Sequence, residues 1–370
     1  MKVLFLTSSY PVPEHPWLGI FVREHARAAA RSADVAIAHI DRSEGVRAIR
    51  VEKGGDDEFR SVRVRYPSSP APVSYAANVA AAVVAYRRLR FEPDVIHAHF
   101  FLAGAPAVVL GRLLRKPVVV TEQWSVFLDD DPMTLSPAMR RVARFTYDRA
   151  DTVMPVSSAL RDGIRAIGTR ADLRVVPNVV DTARFHPDGT PVRERLMGVG
   201  GLYDAKGWEE LFDALARLRA RGRVVGLDIY GDGVLRTSLE QRAARLAIGD
   251  LVTFHGWRPK EEVAAELRRS RLFVITSRYD SNPCAVIEAL ASGVPVVGTS
   301  VGGIPEMVRH GDGVLAEPAN PESIADAIEN ALSRSWDRQA IARSAAERYG
   351  LGPVGAAFGS VYEEAVARRR

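Results

Sequence analysis

Short β-branched runs alternate with longer segments of helical period along nearly the whole chain. Runs at residues 3–6, 35–39, 62–66, 95–97, 118–121, 152–155 and 173–176 predict strands. Between them, residues 19–31, 75–89, 102–114, 137–149 and 159–167 carry the apolar spacing of helices. The pattern restarts after His186-Pro187-Asp188-Gly189-Thr190-Pro191, a cluster of turn formers. Strands are then predicted at 196–199, 224–230, 252–255, 272–275, 294–298 and 313–315. Helices are predicted at 207–219, 235–246, 260–269, 283–292 and 321–333, with a last one at 353–367 after the Gly350-Leu351-Gly352-Pro353 turn. Strand–helix alternation at this spacing is the mark of a parallel sheet covered by helices on both faces. The restart implies two doubly wound, Rossmann-like α/β domains in tandem. Residues 1–178 form the first and residues 179–352 the second, the boundary lies within 177–191, and the terminal helix 353–370 joins the first.

Composition agrees with two domains, because 370 residues is about twice the usual ~150 of one. Hydrophobic residues at 47% and charged residues at 26% exclude a disordered or fibrous chain. The single cysteine, Cys284, excludes an internal disulfide framework and a four-cysteine zinc site. Only five of the 50 basic residues are lysine. That arginine bias reads as genome composition, so the net charge of +5 is no argument for nucleic acid as a partner. The apolar run at 3–6 is too short for a signal-peptide core, and no stretch approaches the ~20 apolar residues of a membrane helix. A cytoplasmic protein is expected. The arginine clusters at Arg87, Arg88 and Arg90 and at residues 368–370 allow weak peripheral contact with the inner face of a membrane, or are simply solvated helix ends.

In doubly wound sheets, ligands bind beyond the C-terminal ends of strands, so the chemistry is sought in the loops that follow them. Neither a GxxxxGK[ST] loop nor a GxGxxG turn is present. The densest candidate is Thr276-Ser277-Arg278-Tyr279-Asp280-Ser281-Asn282-Pro283-Cys284, a polar loop that opens a helix with proline near its first turn. Free amides there make an anion site suited to phosphate. Asp280 in the loop and Glu288 in the helix are placed to flank one ligand with several hydroxyls.

Here the chain resembles the family-4 glycosyltransferases of the GT-B fold. Their Glu-x7-Glu and Ala-x-Ala-x-Gly-x-Pro-Val-Val pattern is matched by Asp280-x7-Glu288 and by Ala289-Leu290-Ala291-Ser292-Gly293-Val294-Pro295-Val296-Val297, with a shorter first acid. Val176-Pro177-Asn178-Val179-Val180-Asp181 is similar to the family's interdomain linker. Gly200-Gly201-Leu202-Tyr203-Asp204-Ala205-Lys206-Gly207 resembles its phosphate loop. Gly231-Asp232-Gly233, Val252-Thr253-Phe254-His255-Gly256 and Gly302-Gly303-Ile304-Pro305-Glu306 follow in the family's order.

The resemblance implies a retaining, metal-independent glycosyltransferase that needs no cofactor. It would move a hexose or amino-hexose from a nucleotide-diphosphate sugar, UDP- or GDP-linked, to a hydroxylated small molecule or glycan. Glu288 would bind the ribose hydroxyls and Asp280 a sugar hydroxyl. Ser281, Asn282, Pro283 and Cys284 would present backbone amides to sugar and phosphate. Lys206 would neutralise the diphosphate leaving group, and Arg258 would lie beside the base. Relatives often carry arginine where Gly201 stands, so Lys206 is alone unless a residue such as Arg278 supplies the second charge. In the first domain, Gly19 stands for the family's glycine-rich loop at the donor phosphate.

Acceptor candidates are Trp17, His99, Phe100 and Trp124. Strand alternation puts His97 and His99 on one side, but with no third ligand in the neighbouring sequence a metal pair is discounted; His97 is read as structural. Gln123 is a catalytic-site candidate because the resemblance places it where many relatives have a histidine near the transferred sugar. Glutamine can only exchange hydrogen bonds and cannot titrate. Glu122 either takes over general-base work or anchors the loop. Asp129-Asp130-Asp131 reads as a solvated loop. A nucleotide-sugar epimerase of the same fold and a non-catalytic nucleotide-sugar binder are the alternatives.

Overall fold

A computed structural model describes residues 1–54, 58–68 and 73–369. It divides into two compact units. The first comprises Met1–Phe127, Met133–Val179 and Leu351–Arg370; the second comprises Leu128–Pro132 and Val180–Gly350. Arg370, of the terminal arginine cluster, lies outside the described residues.

The first unit holds strands β1 (Lys2–Thr7), β2 (Asp34–Ser43), β3 (Arg50–Lys53), β4 (Arg60–Pro67), β5 (Val95–His99), β6 (Val118–Glu122) and β7 (Thr152–Pro155). They are ordered β3-β4-β2-β1-β5-β6-β7, parallel except for β3. Its helices are α1 (Ile20–Ala29), α2 (Val73–Leu89), α3 (Phe100–Leu114), α4 (Pro137–Tyr147) and α5 (Ser158–Ala166). The strand order reverses between β1 and β5, where a doubly wound sheet opens its ligand crevice.

The second unit holds β8 (Arg193–Val199), β9 (Gly226–Tyr230), β10 (Val252–Gly256), β11 (Ser270–Ile275), β12 (Val296–Thr299) and β13 (Gly313–Ala316). All are parallel, in the order β10-β9-β8-β11-β12-β13, with the switch between β8 and β11. Helices α6 (Trp208–Ala220), α7 (Arg236–Arg245), α8 (Lys260–Arg269), α9 (Cys284–Ala291), α10 (Ile304–Met307), α11 (Pro321–Ser333) and α12 (Arg338–Tyr349) cover it. Alternation along the strands builds both cores. Leu196, Leu272 and Val274 pack with α6, α7 and α11 on one face, whereas Met197, Phe273 and Ile275 pack with α8, α9 and α12 on the other. The terminal helix α13 (Leu351–Ala367) returns to the first unit and packs on α1, where Val354, Phe358 and Tyr362 are buried. It starts two residues earlier than its proline suggests, because Pro353 sits in a first turn whose N–H groups have no helical partner.

The expected strand at 173–176 does not form. That segment runs beside β7 and makes three ladder bonds: Val153 N–H to the Asp172 carbonyl, Arg174 N–H to Val153, and Val176 N–H to Pro155. The bond that would complete the ladder needs an N–H on Pro155, which proline lacks. Helix α12 was not predicted, since its arginine–alanine sequence has little apolar contrast. Its signal was the cap, Asp337, whose carboxylate accepts from the Ala340 N–H at 2.9 Å. Strand β3, mostly exposed, also lacks the alternation that would mark it.

Candidate active site

The loops at the strand ends of the second unit are stitched together by backbone. The Gly200 N–H donates to Tyr230, Leu202 to Asp232 and Gly231 to Gly256, at 2.9–3.0 Å. Gly231 has φ 142°, and a Cβ there would lie 2.0 Å from the Gly200 carbonyl oxygen. Glycine is thus required where two loops cross. Gly207, at φ 62°, closes the β8 loop against β11, with the Thr276 hydroxyl donating to its carbonyl at 2.8 Å.

This crossing brings Lys206 to Asp280. Nζ lies 2.5 Å from Oδ2, and the Ser277 hydroxyl donates to the same oxygen at 3.4 Å. The Asp280 carbonyl accepts from the Gly303 N–H at 3.0 Å, so the Gly302-Gly303 turn holds the acid in place. Glu288, 5% exposed, is paired with Lys260, the first residue of α8. Lys260 carried no signal in the sequence beyond being one of five lysines; only the packing of α8 beside α9 reveals it. The two carboxylates flanking the start of α9 are therefore each neutralised by a lysine.

Helix α9 begins at Cys284 with Pro283 as N-cap, and no side chain caps it. Pro283 itself has no N–H, which corrects the expectation that it offers an amide. Ser281 is buried, and its hydroxyl has no partner among the described residues. Asn282 is buried beside it, while Cys284 is half-buried. Arg278 does not join Lys206. Its guanidinium is held by Glu210 at 2.6–2.8 Å and by Asp204 at 2.5 Å. Gly201 has no room for a side chain unless Tyr203 moves, since a Cβ would lie 2.3 Å from that ring. Arg258 is exposed and pairs with Glu262 at 3.5 Å.

In the first unit, Gly19 caps α1 at φ 65°, and a Cβ would lie 2.3 Å from the Ser9 carbonyl. Trp17 is 52% exposed and meets His15 edge-on. Phe100 opens α3 at φ 65°, half-buried against Phe21. Trp124 is half-buried and stacks on Phe101.

Two residues of this unit are not where a ligand reaches them. Glu122 is fully buried and saturated. Oε1 accepts from the Gln123 and Trp124 N–H groups at 2.9–3.0 Å, and Oε2 from the Phe101 N–H at 2.8 Å and the Tyr147 hydroxyl at 2.7 Å. Burial raises the pKa of its carboxyl even against those four bonds. With every lone pair engaged and no path to solvent it is an anchor, not a general base. His99 is likewise fully buried, with Nε2 3.2 Å from Nδ1 of His25 and its ring stacked on His97. It therefore cannot meet an acceptor, because α1 brings His25 across its face. His97 bonds the Tyr362 and Thr121 hydroxyls, each at 2.7 Å. Burial lowers all three histidines, His25 to about 3. Gln123 keeps a side-chain nitrogen that is buried and has no partner among the described residues.

Asp129 and Asp130 are exposed and Asp131 buried. Among the described residues, no group of three or more His, Cys, Asp or Glu side chains is placed to hold a metal ion. None of the described helices is long and apolar enough to cross a membrane. Arg368 and Arg369 are bound to Asp172 and Asp151 at 2.9–3.1 Å.

A family model described as "Glycosyl transferases group 1" matches residues 191–348, and one described as "Glycosyl transferase 4-like domain" matches residues 18–179. The GDP-mannose-dependent alpha-(1-6)-phosphatidylinositol monomannoside mannosyltransferase of Mycobacterium tuberculosis is 28% identical, over 94% of this chain and 92% of its own. The alpha-D-kanosaminyltransferase of Streptomyces kanamyceticus is 27% identical, over 75% of this chain and 79% of its own. Among solved structures, Anabaena Alr3699/HepE in complex with UDP-glucose superposes with a TM-score of 0.77 at 21% identity, over 98% of this chain and 100% of that one. The chain belongs to the group 1, family-4 glycosyltransferases, GT-B enzymes that transfer sugars from nucleotide-sugar donors.

Proposed function

We propose that the protein is a metal-independent, retaining hexosyltransferase that takes a UDP- or GDP-linked hexose or amino-hexose and delivers it to a hydroxyl of a small molecule or glycan. The observation that carries this reading is the pair of lysine–carboxylate contacts, Lys206–Asp280 and Lys260–Glu288, on either side of an uncapped helix start. Such contacts are exchangeable. A diphosphate attracts Lys206 and the α9 amides, releasing Asp280 to accept from a sugar hydroxyl. Ribose hydroxyls take the place of the ammonium at Glu288.

In the transfer step the anomeric C–O bond breaks and its electron pair leaves with the diphosphate. Lys206 and the helix amides stabilise that charge. The departing phosphate oxygen takes the acceptor proton while the acceptor oxygen bonds the same face of the anomeric carbon. No separate base is needed, which suits a chain whose Glu122 is saturated and whose residue 123 is glutamine. Gln123, Trp17 and Trp124 are assigned to the acceptor. The name of one relative points to GDP-mannose; glycan synthesis in the cytoplasm, with weak contact to the inner membrane face, is the corresponding setting.

Thermal-shift screening against UDP-, GDP-, ADP- and dTDP-sugars identifies the donor, because a ligand bound only by the folded state raises its melting temperature. Proton NMR of the product in excess EDTA then reads anomeric configuration. An inverted product, or activity abolished by EDTA and restored by Mg2+, would contradict the mechanism.

A further inference from the structure

The first unit carries a cavity of about 260 Å3 beside the strand ends of β2 and β4, walled on its third side by the loop after β1. It lies on residues that no motif singled out. Arg63 and Arg65 rise from β4 opposite His39, Asp41 and Ser43 on β2.

The polar groups are held in place. Arg63 donates to Asp41 Oδ2 at 2.7 Å, the Ser43 hydroxyl reaches the same oxygen at 3.3 Å, and Arg65 donates to Ser43 at 2.9 Å. Among the described residues, these contacts to Asp41 fall on Oδ2, leaving Oδ1 as a fixed acceptor. His39 is 4% exposed, and burial lowers its pKa to about 4, so it is neutral at physiological pH. One ring nitrogen bonds the Ser8 backbone, and Nε2 has no partner. A neutral imidazole that donates from one nitrogen offers a bare lone pair on the other. Val12 and Leu18 supply an apolar wall.

Charge selects the class of ligand. Two guanidiniums are outnumbered by the four carboxylates in or beside the cavity: Glu14, Asp41, Glu44 and Glu52. Arg63 and Arg65 are committed to those acids, so an anion meets net repulsion. Fixed acceptors, spare guanidinium N–H groups and an apolar wall instead match a neutral ring that carries hydroxyls on its edge and C–H groups on its face. The volume falls below the ~300–1,000 Å3 of pockets for drug-sized ligands, which limits the occupant to one ring.

We propose that this cavity is an acceptor subsite for a neutral sugar ring, whose hydroxyls donate to Asp41 Oδ1 and His39 Nε2 while its C–H face lies on Val12 and Leu18. The proposal rests on the transferase reading and narrows its acceptor to a glycoside or glycan. Saturation-transfer NMR on the full chain, without donor, tests it with methyl α-glycosides of glucose, mannose and galactose and with methyl glucuronoside. At least one neutral glycoside binds in the millimolar range, and the glucuronoside binds more weakly. Asp41→Asn weakens the neutral glycoside roughly tenfold, the loss of one charged hydrogen bond. Leu18→Trp, which fills the cavity without touching its ion pairs, abolishes binding and serves alone should Asp41→Asn fail to fold. The subsite is overturned by absence of binding for every neutral glycoside, by unchanged binding in the variants, or by tighter binding of the glucuronoside. Donor binding, followed by thermal shift on the same samples, separates the two ideas. Intact donor binding alongside any of those results removes only the subsite, whereas no response to any nucleotide sugar removes the transferase reading.

Discussion

Glu122 ends strand β6 of the first unit and Asp280 lies in the loop after β11 of the second, yet their surroundings are opposite. Glu122 is enclosed and meets four donors, three of them backbone N–H groups. Asp280 is partly open and meets a lysine whose side chain is 28% exposed. Three histidines are sealed in the way Glu122 is. His25, His97 and His99 of the first unit are buried and neutral, while His15 of that unit and His186, His255 and His310 of the second lie at or near the surface. A saturated buried group costs much to disturb and has nothing left to offer a ligand. A partly exposed ion pair is more readily exchanged for a ligand than a sealed and saturated group. Polar side chains at strand ends therefore do structural work where they are sealed and are left for binding work where they stay partly open.

The sharpest way to break this contrast is Lys206→Met. Turnover should fall by roughly 10²–10³, the loss expected when one stabilising group at a developing charge is removed, while circular dichroism and the melting curve stay near those of the parent. A variant with normal turnover would return Lys206 to the surface cations. Glu122→Gln is the converse. It should destabilise the fold by roughly 3 kcal/mol, since a carbonyl and an amide cannot satisfy four donors. Denaturant unfolding measures the loss, and turnover per folded molecule should stay within a few-fold. A large fall in turnover at full stability would restore the general-base role.

Acid gives the third test. The buried histidines have pKa values below those they regain on unfolding, so the unfolded chain binds protons that the folded one refuses. Their neutrality costs nothing above about pH 6.5, and stability falls as the pH drops from there towards about 3. Between pH 6.5 and 5, hydrogen exchange should lose protection in α1, β5 and α13 before β8 and β11. Uniform loss across both units would show that the histidines are not the weak point. The smallest effect belongs to Gln123→Ala, which removes an amide nitrogen that has no partner among the described residues. A fall of about fivefold in transfer, with donor KM unchanged, is the scale of one neutral hydrogen bond; an altered donor KM would move Gln123 out of the acceptor set.

Much of this organisation was legible locally. Apolar period separates strand from helix wherever a run is long, and cap and turn residues mark the ends. The misses had local causes as well: Pro155 withholds the N–H that the segment at 173–176 needs, and α12 announces itself only through Asp337. The motif around Asp280 and Glu288 was readable because one loop and one short helix hold all of it.

What the chain determined by itself was therefore the tandem plan, the helix start at Cys284 and the two carboxylates around it, all consequences of interactions within a few residues. Only tertiary structure decided which polar strand ends stay open. His97 meets Tyr362 across 265 positions, Lys206 meets Asp280 across 74, and Lys260 meets Glu288 across 28. Burial is set by whichever element packs on top, and α13 returning to α1 seals a set of histidines that strand ends alone would have left facing a ligand. A side chain's charge, partners and reach depend on that cover, which no local pattern encodes.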